Sequence, residues 1–338
     1  MSNKKIFLST AIIVAMLLAG CSPSAINPEP TNQLVSIKIG VLPYISNAPL
    51  YIAQQEGFFS DQGLDADLIL FNQTNEMVTS LIQGDLDVII GGVTPGILNA
   101  IAQGGNIKFT ANKGIFDPDL ECSVSAFMAR NELLEPGYLS NPENIKGLKV
   151  ADTPGSIFDY AFDLYLNQHG LTKADIEQLS FPPPPTLVES LSSGAVDVGP
   201  LSEPWVTRTL NTGKAGIWFP LEDILPYYDL ALILYGPSLL ENVDIGGRFM
   251  VAYLNAVRFY AEGKTDRNIE LVAEFTQLSP EEVESACWQT INLDGHINVD
   301  LILEFEQWLL ENGYIDSIVS PEQFWDSQFI DYANQVIN

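Results

Sequence analysis

Residues 36–42 read Ser-Ile-Lys-Ile-Gly-Val-Leu, residues 65–71 Asp-Ala-Asp-Leu-Ile-Leu-Phe and residues 86–91 Leu-Asp-Val-Ile-Ile-Gly. Each is a short aliphatic run bounded by turn formers, the pattern of a strand. Between them, Pro49–Glu56 and Asn75–Gln83 carry helical spacing. Pro95–Gln103 then reads as a helix with proline in its first turn, and Ile107–Asn112 as another strand. Strands that alternate with helices in this way build a mostly parallel sheet covered on both faces.

A second run of the same kind follows. Strands are expected at Ser125–Arg130, Leu148–Asp152, Ile176–Phe181 and Val196–Leu201, with helices at Pro142–Lys146, Ser156–His169, Thr186–Ser192 and Pro204–Asn211. Pro182–Pro185 reads as a rigid spacer. The two runs share an echo: residues 80–88, Ser-Leu-Ile-Gln-Gly-Asp-Leu-Asp-Val, against residues 190–198, Ser-Leu-Ser-Ser-Gly-Ala-Val-Asp-Val. The fold class is therefore α/β, with two doubly wound lobes. From about Pro237 the chain is mainly helical. Helices are expected over Gly247–Gly263 and Asn268–Thr276, from Ser279-Pro280-Glu281-Glu282 onward, and over Asp300–Asn312. Trp288, Trp308 and Trp325 read as packing residues.

Apolar residues make up 46 % of the 338, charged residues only 17 %, and the net charge is −28. Such a chain can bury a large core and repels nucleic acid and anionic head groups. At the start, Lys4 and Lys5 precede an apolar run from Ile12 to Leu18, too short to span a bilayer, and then Leu18-Ala19-Gly20-Cys21. This resembles the bacterial lipoprotein signal. The resemblance implies a signal peptide over residues 1–20, lipid on Cys21, and a Ser- and Pro-rich tether over residues 21–34. Cys122 and Cys287 remain; an exported protein can pair them, but spacing does not decide whether it does.

No nucleotide loop, nucleophile elbow or zinc spacing is present. Asp117–Glu121 reads as an acidic loop, and His169 and His296 as structural, so neither metal nor cofactor is expected. The loops offer ligand binding instead, because ligands of open parallel sheets sit beyond the carboxyl ends of the strands. The candidates are Tyr44 and Asn47 after the first strand, Asn72 after the second and Thr94 after the third. In the second run they are Thr153, Ser156 and Phe158, then Glu203 and Trp205. Helix capping is the competing role for Thr94, Thr153 and Ser156, and packing for Tyr44, Phe158 and Trp205. Arginines able to hold an anion are few; Arg130 and Arg208 are nearest these loops, and helix N-termini could serve alone.

Leu42-Pro43-Tyr44, Asn47-Ala48-Pro49-Leu50-Tyr51-Ile52-Ala53, Glu56-Gly57-Phe58-Phe59, Leu81-x-x-Gly84-x-x-Asp87-Val88, Gly147-Leu148-Lys149-Val150-Ala151, Thr153-Pro154-Gly155-Ser156 and Glu203-Pro204-Trp205 together resemble a known group. It is the nitrate, sulfonate, taurine and thiamine-pyrimidine-precursor group of ABC-transporter substrate-binding proteins. The resemblance implies lobes joined by crossing strands near Asn112–Ser125 and Phe219–Tyr235, with the helical tail packed on the first lobe. Lobe 1 would then be residues 35–120 and 229–338, and lobe 2 residues 121–228. It further implies an extracytoplasmic, monomeric, non-enzymatic protein that closes on a small molecule and delivers it to a membrane permease driven by an ATPase. The aromatic loops with Asn72, Asp159 and Glu203 favour a flat neutral or cationic nitrogen heterocycle, such as a thiamine pyrimidine precursor or a riboflavin-like vitamin. A sulfonate, taurine or nitrate ligand is the alternative, as is a pyrimidine-synthesis-like enzyme.

Overall fold

The computed structural model describes residues 34–71 and 74–337, apart from the side chains of Asn75 and Leu230. The signal peptide, Cys21, most of the tether and Asn72 lie outside the described residues. Ten strands are described: β1 Val35–Val41, β2 Leu64–Leu70, β3 Val88–Gly91, β4 Lys108–Ile115, β5 Ser125–Arg130, β6 Lys149–Asp152, β7 Glu177–Ser180, β8 Val198–Ser202, β9 Ala215–Pro220 and β10 Asp229–Tyr235. They form two five-stranded sheets, ordered β2-β1-β3-β10-β4 and β7-β6-β8-β5-β9. In each sheet four strands run in one direction, and the one antiparallel member, β10 or β5, arrives from the opposite lobe. This is the two-lobed α/β architecture with a crossing-strand hinge.

The first lobe carries α1 Ala48–Gln55, α2 Phe58–Asp61, α3 Thr74–Gln83 and α4 Pro95–Ala102. The second carries α5 Ile157–Gln168, α6 Pro184–Ser193 and α7 Trp205–Asn211. The helix expected over Pro142–Lys146 is a single 3-10 turn, Pro142–Ile145. Pro184 and Pro185 are not spacer but the first residues of α6, where a fixed φ and a missing N–H cost nothing. The echoed segments do the same work in both lobes. Gly84 and Gly194 end α3 and α6 with φ of +77° and +79°. Asp87 then accepts the Lys38 backbone N–H at 2.8 Å, and Asp197 that of Lys149 at 2.9 Å. Each aspartate thereby locks its third strand to its first.

The hinge is hydrogen-bonded across its two crossing segments: Phe116 N–H donates to the Tyr228 carbonyl at 2.9 Å, and Tyr227 N–H to the Phe116 carbonyl at 2.7 Å. The buried Asp229 carboxylate accepts Asn112 Nδ2 and the Asn298 N–H, tying the tail to the same point. The tail comprises α8 Pro237–Glu241, α9 Val243–Tyr260, α10 Asp266–Thr276, α11 Pro280–Ser285, α12 Val299–Glu311, α13 Pro321–Phe324 and α14 Gln328–Ile337. Phe249, Tyr253 and Phe329 of α9 and α14 share one buried cluster with Ile37, Ile39 and Val41 of β1, so the extension packs on the first lobe. It also does more: Phe305 and Trp308 of α12 lie 5.4 and 5.2 Å from the Tyr160 ring of α5, and Trp308 Nε1 donates to Asp163 at 2.9 Å. One continuous core therefore runs from the first lobe through α12 into the second.

Candidate ligand-binding site

A cavity of about 210 Å³ lies between the lobes. The first lobe lines it with Leu42 and Tyr44–Asn47 beyond β1, Ile90–Thr94 at the end of β3, Lys113 of β4 and Ala231 of β10. The second supplies Ser156, Ile157 and Phe158 at the start of α5, with Ser202 and Glu203 at the end of β8. Val124 of the crossing segment and Cys287 and Gln289 of the tail complete it. The walls sit where strands give way to helices in both sheets, as the geometry of open α/β sheets requires.

Six of the nine residues anticipated from sequence line this cavity. Tyr44 is half-buried, and desolvation pushes its phenol above the ordinary value. Asn47 donates through Nδ2 to the Leu42 carbonyl at 2.7 Å, while its buried Oδ1 has no partner. Thr94 and Ser156 cap α4 and α5, accepting from Ile97 N–H at 3.3 Å and Asp159 N–H at 3.2 Å. Each hydroxyl proton stays available to a ligand. Phe158 offers the second aromatic ring. Glu203 lines the wall, but its carboxylate is occupied: Oε1 accepts the Thr207 hydroxyl at 2.8 Å and the Cys287 N–H at 3.0 Å, and Oε2 the Thr207 N–H at 3.1 Å. Burial raises its pKa above the usual carboxylate value.

Thr153 and Trp205 are elsewhere. Thr153 faces a separate shallow groove beside Pro95. Trp205 stands outside the cavity with the Arg208 guanidinium 4.8 Å over its ring, and Arg208 pairs with Glu282 at 3.0 Å. Arg130 is held by Asp197 and Glu132. Neither arginine borders the cavity, so the two guanidinium candidates are corrected: their charges serve packing between elements.

The basic group that does border it is Lys113, 4 % exposed in the hinge strand. Its Nζ donates to Ser46 Oγ at 2.7 Å. Among the described residues it has no other hydrogen-bond partner and no carboxylate within ion-pair distance. Burial pulls the ammonium down from 10.5 to about 7. Gln289 adds a buried Oε1 without a partner. The strand expected to end at Asn112 runs on to Ile115 and so takes in Lys113. A lysine inside a strand, with no acid within three residues on either side, is the signal that was there to find.

Cys122 and Cys287 are joined in a disulfide, their Cα atoms 5.7 Å apart, which fixes the crossing segment to the tail at the cavity wall. Near the rim the lobes touch. Gly155 has φ +75°, and a Cβ there would lie 2.9 Å from Pro95 of the opposite lobe. Next to it the buried Asp159 carboxylate accepts the Gly155 N–H and the Tyr314 hydroxyl, both at 2.9 Å, and pairs with Lys173.

Residues 30–222, more than half of the chain, match the NMT1-like family. A binding protein of Brucella abortus is 22 % identical over 271 residues, covering 74 % of this chain and 75 % of that one. The bicarbonate transport ATP-binding protein CmpC of Synechocystis is 25 % identical over 199 residues; the match takes in 54 % of this chain but only 28 % of that relative's length. Among solved structures, the nitrate-binding protein NrtA from Synechocystis superposes with a TM-score of 0.72 at 15 % identity, covering 90 % of both chains. The aliphatic sulphonate binding protein SsuA from Escherichia coli does so with 0.69 at 17 %, covering 86 % of this chain and 96 % of that one. The desulfurization enzyme DSZB has the same fold, with a TM-score of 0.65 at 15 % identity, covering 90 % of this chain and 100 % of that one.

Proposed function

This chain belongs to the NMT1-like family, and from that premise we propose that it is the extracytoplasmic binding component of an ABC importer. It captures a small organic molecule in the interlobe cavity and presents the closed form to a membrane permease coupled to an ATPase. One observation carries this reading: the cavity takes its walls from both lobes and from the hinge between them. A molecule bound there touches both halves, so it stabilises the closed arrangement by its differential contacts. Relatives named for transport, and neighbours of the same fold named for nitrate and sulphonate binding, support the role. Among the described residues no helix is long and apolar enough to cross a membrane, which suits a protein held to its membrane by lipid on Cys21.

The unpaired Lys113 favours an anionic ligand over the neutral or cationic heterocycle suggested by the aromatic loops. A cation in this cavity would meet a second positive charge in a desolvated site. The test is a thermal-shift panel of sulfonates, carboxylates, nitrate, pyrimidines, thiamine and riboflavin on the mature protein. A ligand bound only by the folded state at a hundredfold excess over its Kd stabilises by about 2.7 kcal/mol, a visible shift. Small-angle scattering of any hit should show a more compact particle. A panel with no shift, or binding that leaves the particle's dimensions unchanged, counts against the reading.

A further inference from the structure

We propose that the buried carboxylates Asp152 and Asp159, where the second lobe meets the first, form a proton-operated latch: a proton held between them keeps the lobes closed, and its loss lets them part. The latch needs no ligand; its consequence for capture rests on the interlobe reading above. Its first support is place. Asp152 ends β6 and Asp159 lies in the first turn of α5, 4 % and 0 % exposed. The Asp159 carboxylate accepts the Gly155 N–H and the Tyr314 hydroxyl, both at 2.9 Å, and pairs with the Lys173 ammonium. Gly155 is the residue that abuts Pro95 of the first lobe, and a Cβ there would also lie 3.3 Å from the Tyr314 ring. Tyr314 belongs to the tail, just beyond α12. Asp159 thus holds together the loop of one lobe and the tail of the other at their point of contact. The next residues of that loop, Ser156–Phe158, are cavity wall.

Its second support is an unfilled hydrogen bond. Asp152 Oδ2 accepts Gln178 Nε2 at 3.2 Å, but the buried Oδ1 has no donor. Its neighbour is the Asp159 carboxylate, another acceptor, so lone pairs oppose each other unless a proton lies between them. Around the pair stand Asp163 of α5, which accepts Trp308 Nε1, the Tyr314 phenol and, as the one cation among the described residues there, Lys173. Lys173 also sits 5.2 Å over the Trp308 ring of α12, so its charge serves both lobes. One ammonium against two buried carboxylates leaves a negative charge without a partner. Burial first, and then the Asp159 charge, push Asp152 up from 3.8 to about 7. Burial and the Asp159 bond raise the Tyr314 phenol too, so it stays a donor. A closed form that raises an acid in this way holds the proton more tightly than an open form whose carboxylates meet water. Closure is therefore favoured below about 7. As pH rises from the open-state value toward about 7, the closed-to-open ratio falls by up to about tenfold per unit, and above that it levels off.

The experiment is small-angle scattering of the ligand-free mature protein at pH 5 and pH 8, with infrared difference spectra between the same two values. It is run on the wild type, Asp152→Asn and Tyr314→Phe. The wild type should be more compact at pH 5 and should show there a carboxylic acid C=O band that is gone at pH 8. Asp152→Asn puts a permanent N–H donor where the proton was, so it should stay compact at both values and lack that band. Tyr314→Phe keeps the carboxylate pair but removes its tie to the tail. It should keep the band, yet be as expanded at pH 5 as the wild type is at pH 8. Equal dimensions of the wild type at both values overturn the latch, as does an Asp152→Asn protein that expands with pH or retains the band. A Tyr314→Phe protein as compact at pH 5 as the wild type overturns it too. None of these results bears on the importer reading, which the ligand panel decides.

Discussion

At the scale of single residues, the proposed function makes Lys113 the link between ligand capture and pH. Its folded-state pKa of about 7 lies below the ordinary 10.5, so the unfolded chain holds the proton more tightly. The ligand-free protein therefore gains stability from this group as pH rises from 7 toward 10, and carries the full burden of the buried charge below 7. An anion beside the ammonium reverses the shift, so binding near pH 8 should take up a proton. Affinity should weaken about tenfold per pH unit above 7 until the bound-state pKa is reached. Titrations in two buffers of different ionisation enthalpy measure the proton directly; a Kd independent of pH between 6 and 9 contradicts the assignment. Two other titratable groups face the cavity, Tyr44 and Glu203; both are shifted upward by burial, and neither pKa falls as that of Lys113 does. Glu203→Gln replaces an acceptor by a donor against the Thr207 or Cys287 donors, and should cost about 1–3 kcal/mol in urea denaturation. The loops around Tyr44, Asn47, Thr94 and Ser156 were legible because strand ends and helix caps announce themselves in sequence. Lys113 and Gln289 reach the cavity wall through tertiary placement, which no local pattern marks.

At the scale of elements, α12 is the strut between the lobes. Phe305 is fully buried against Tyr160 and Trp308, so Phe305→Ala should destabilise by about 3–5 kcal/mol in equilibrium unfolding. A loss below 1 kcal/mol would show that α12 does not share the core. Gly155 sits where α/β loops of the two lobes approach, its left-handed φ and its closeness to Pro95 leaving no room for a side chain. Gly155→Val should weaken ligand binding at least tenfold by holding the lobes apart, read by calorimetry with the best organic anion. Helical periodicity and proline starts made α4, α9 and the capped start of α11 readable. The hinge strands were harder. After Asp229, β10 is apolar through to Tyr235, and a run without alternation does not distinguish strand from buried helix. The short α2, α8 and α13 hold too few turns to show a period.

At the scale of the whole molecule, the two lobes repeat one plan, each receiving its antiparallel strand from the other. The nine-residue echo was the visible trace of that repeat; the exchange of β5 and β10 leaves no local mark, because it depends on where the chain crosses. The Cys122–Cys287 bond closes a long loop spanning the second lobe and joins it to the tail. Replacing both cysteines by serine should lower stability by about 3–5 kcal/mol in chemical denaturation, and an unchanged midpoint would remove the bond from the forces that hold the hinge. On the proposed function, the lobes, their hinge and the cavity between them would trap what binds there. Hydrogen exchange with and without the tightest organic anion reads that trap at every peptide. Slowed exchange should appear together at residues 42–47 of the first lobe, 156–158 of the second and 113–124 of the hinge. Slowing confined to one lobe, or to surfaces away from the cavity, would contradict capture between the lobes.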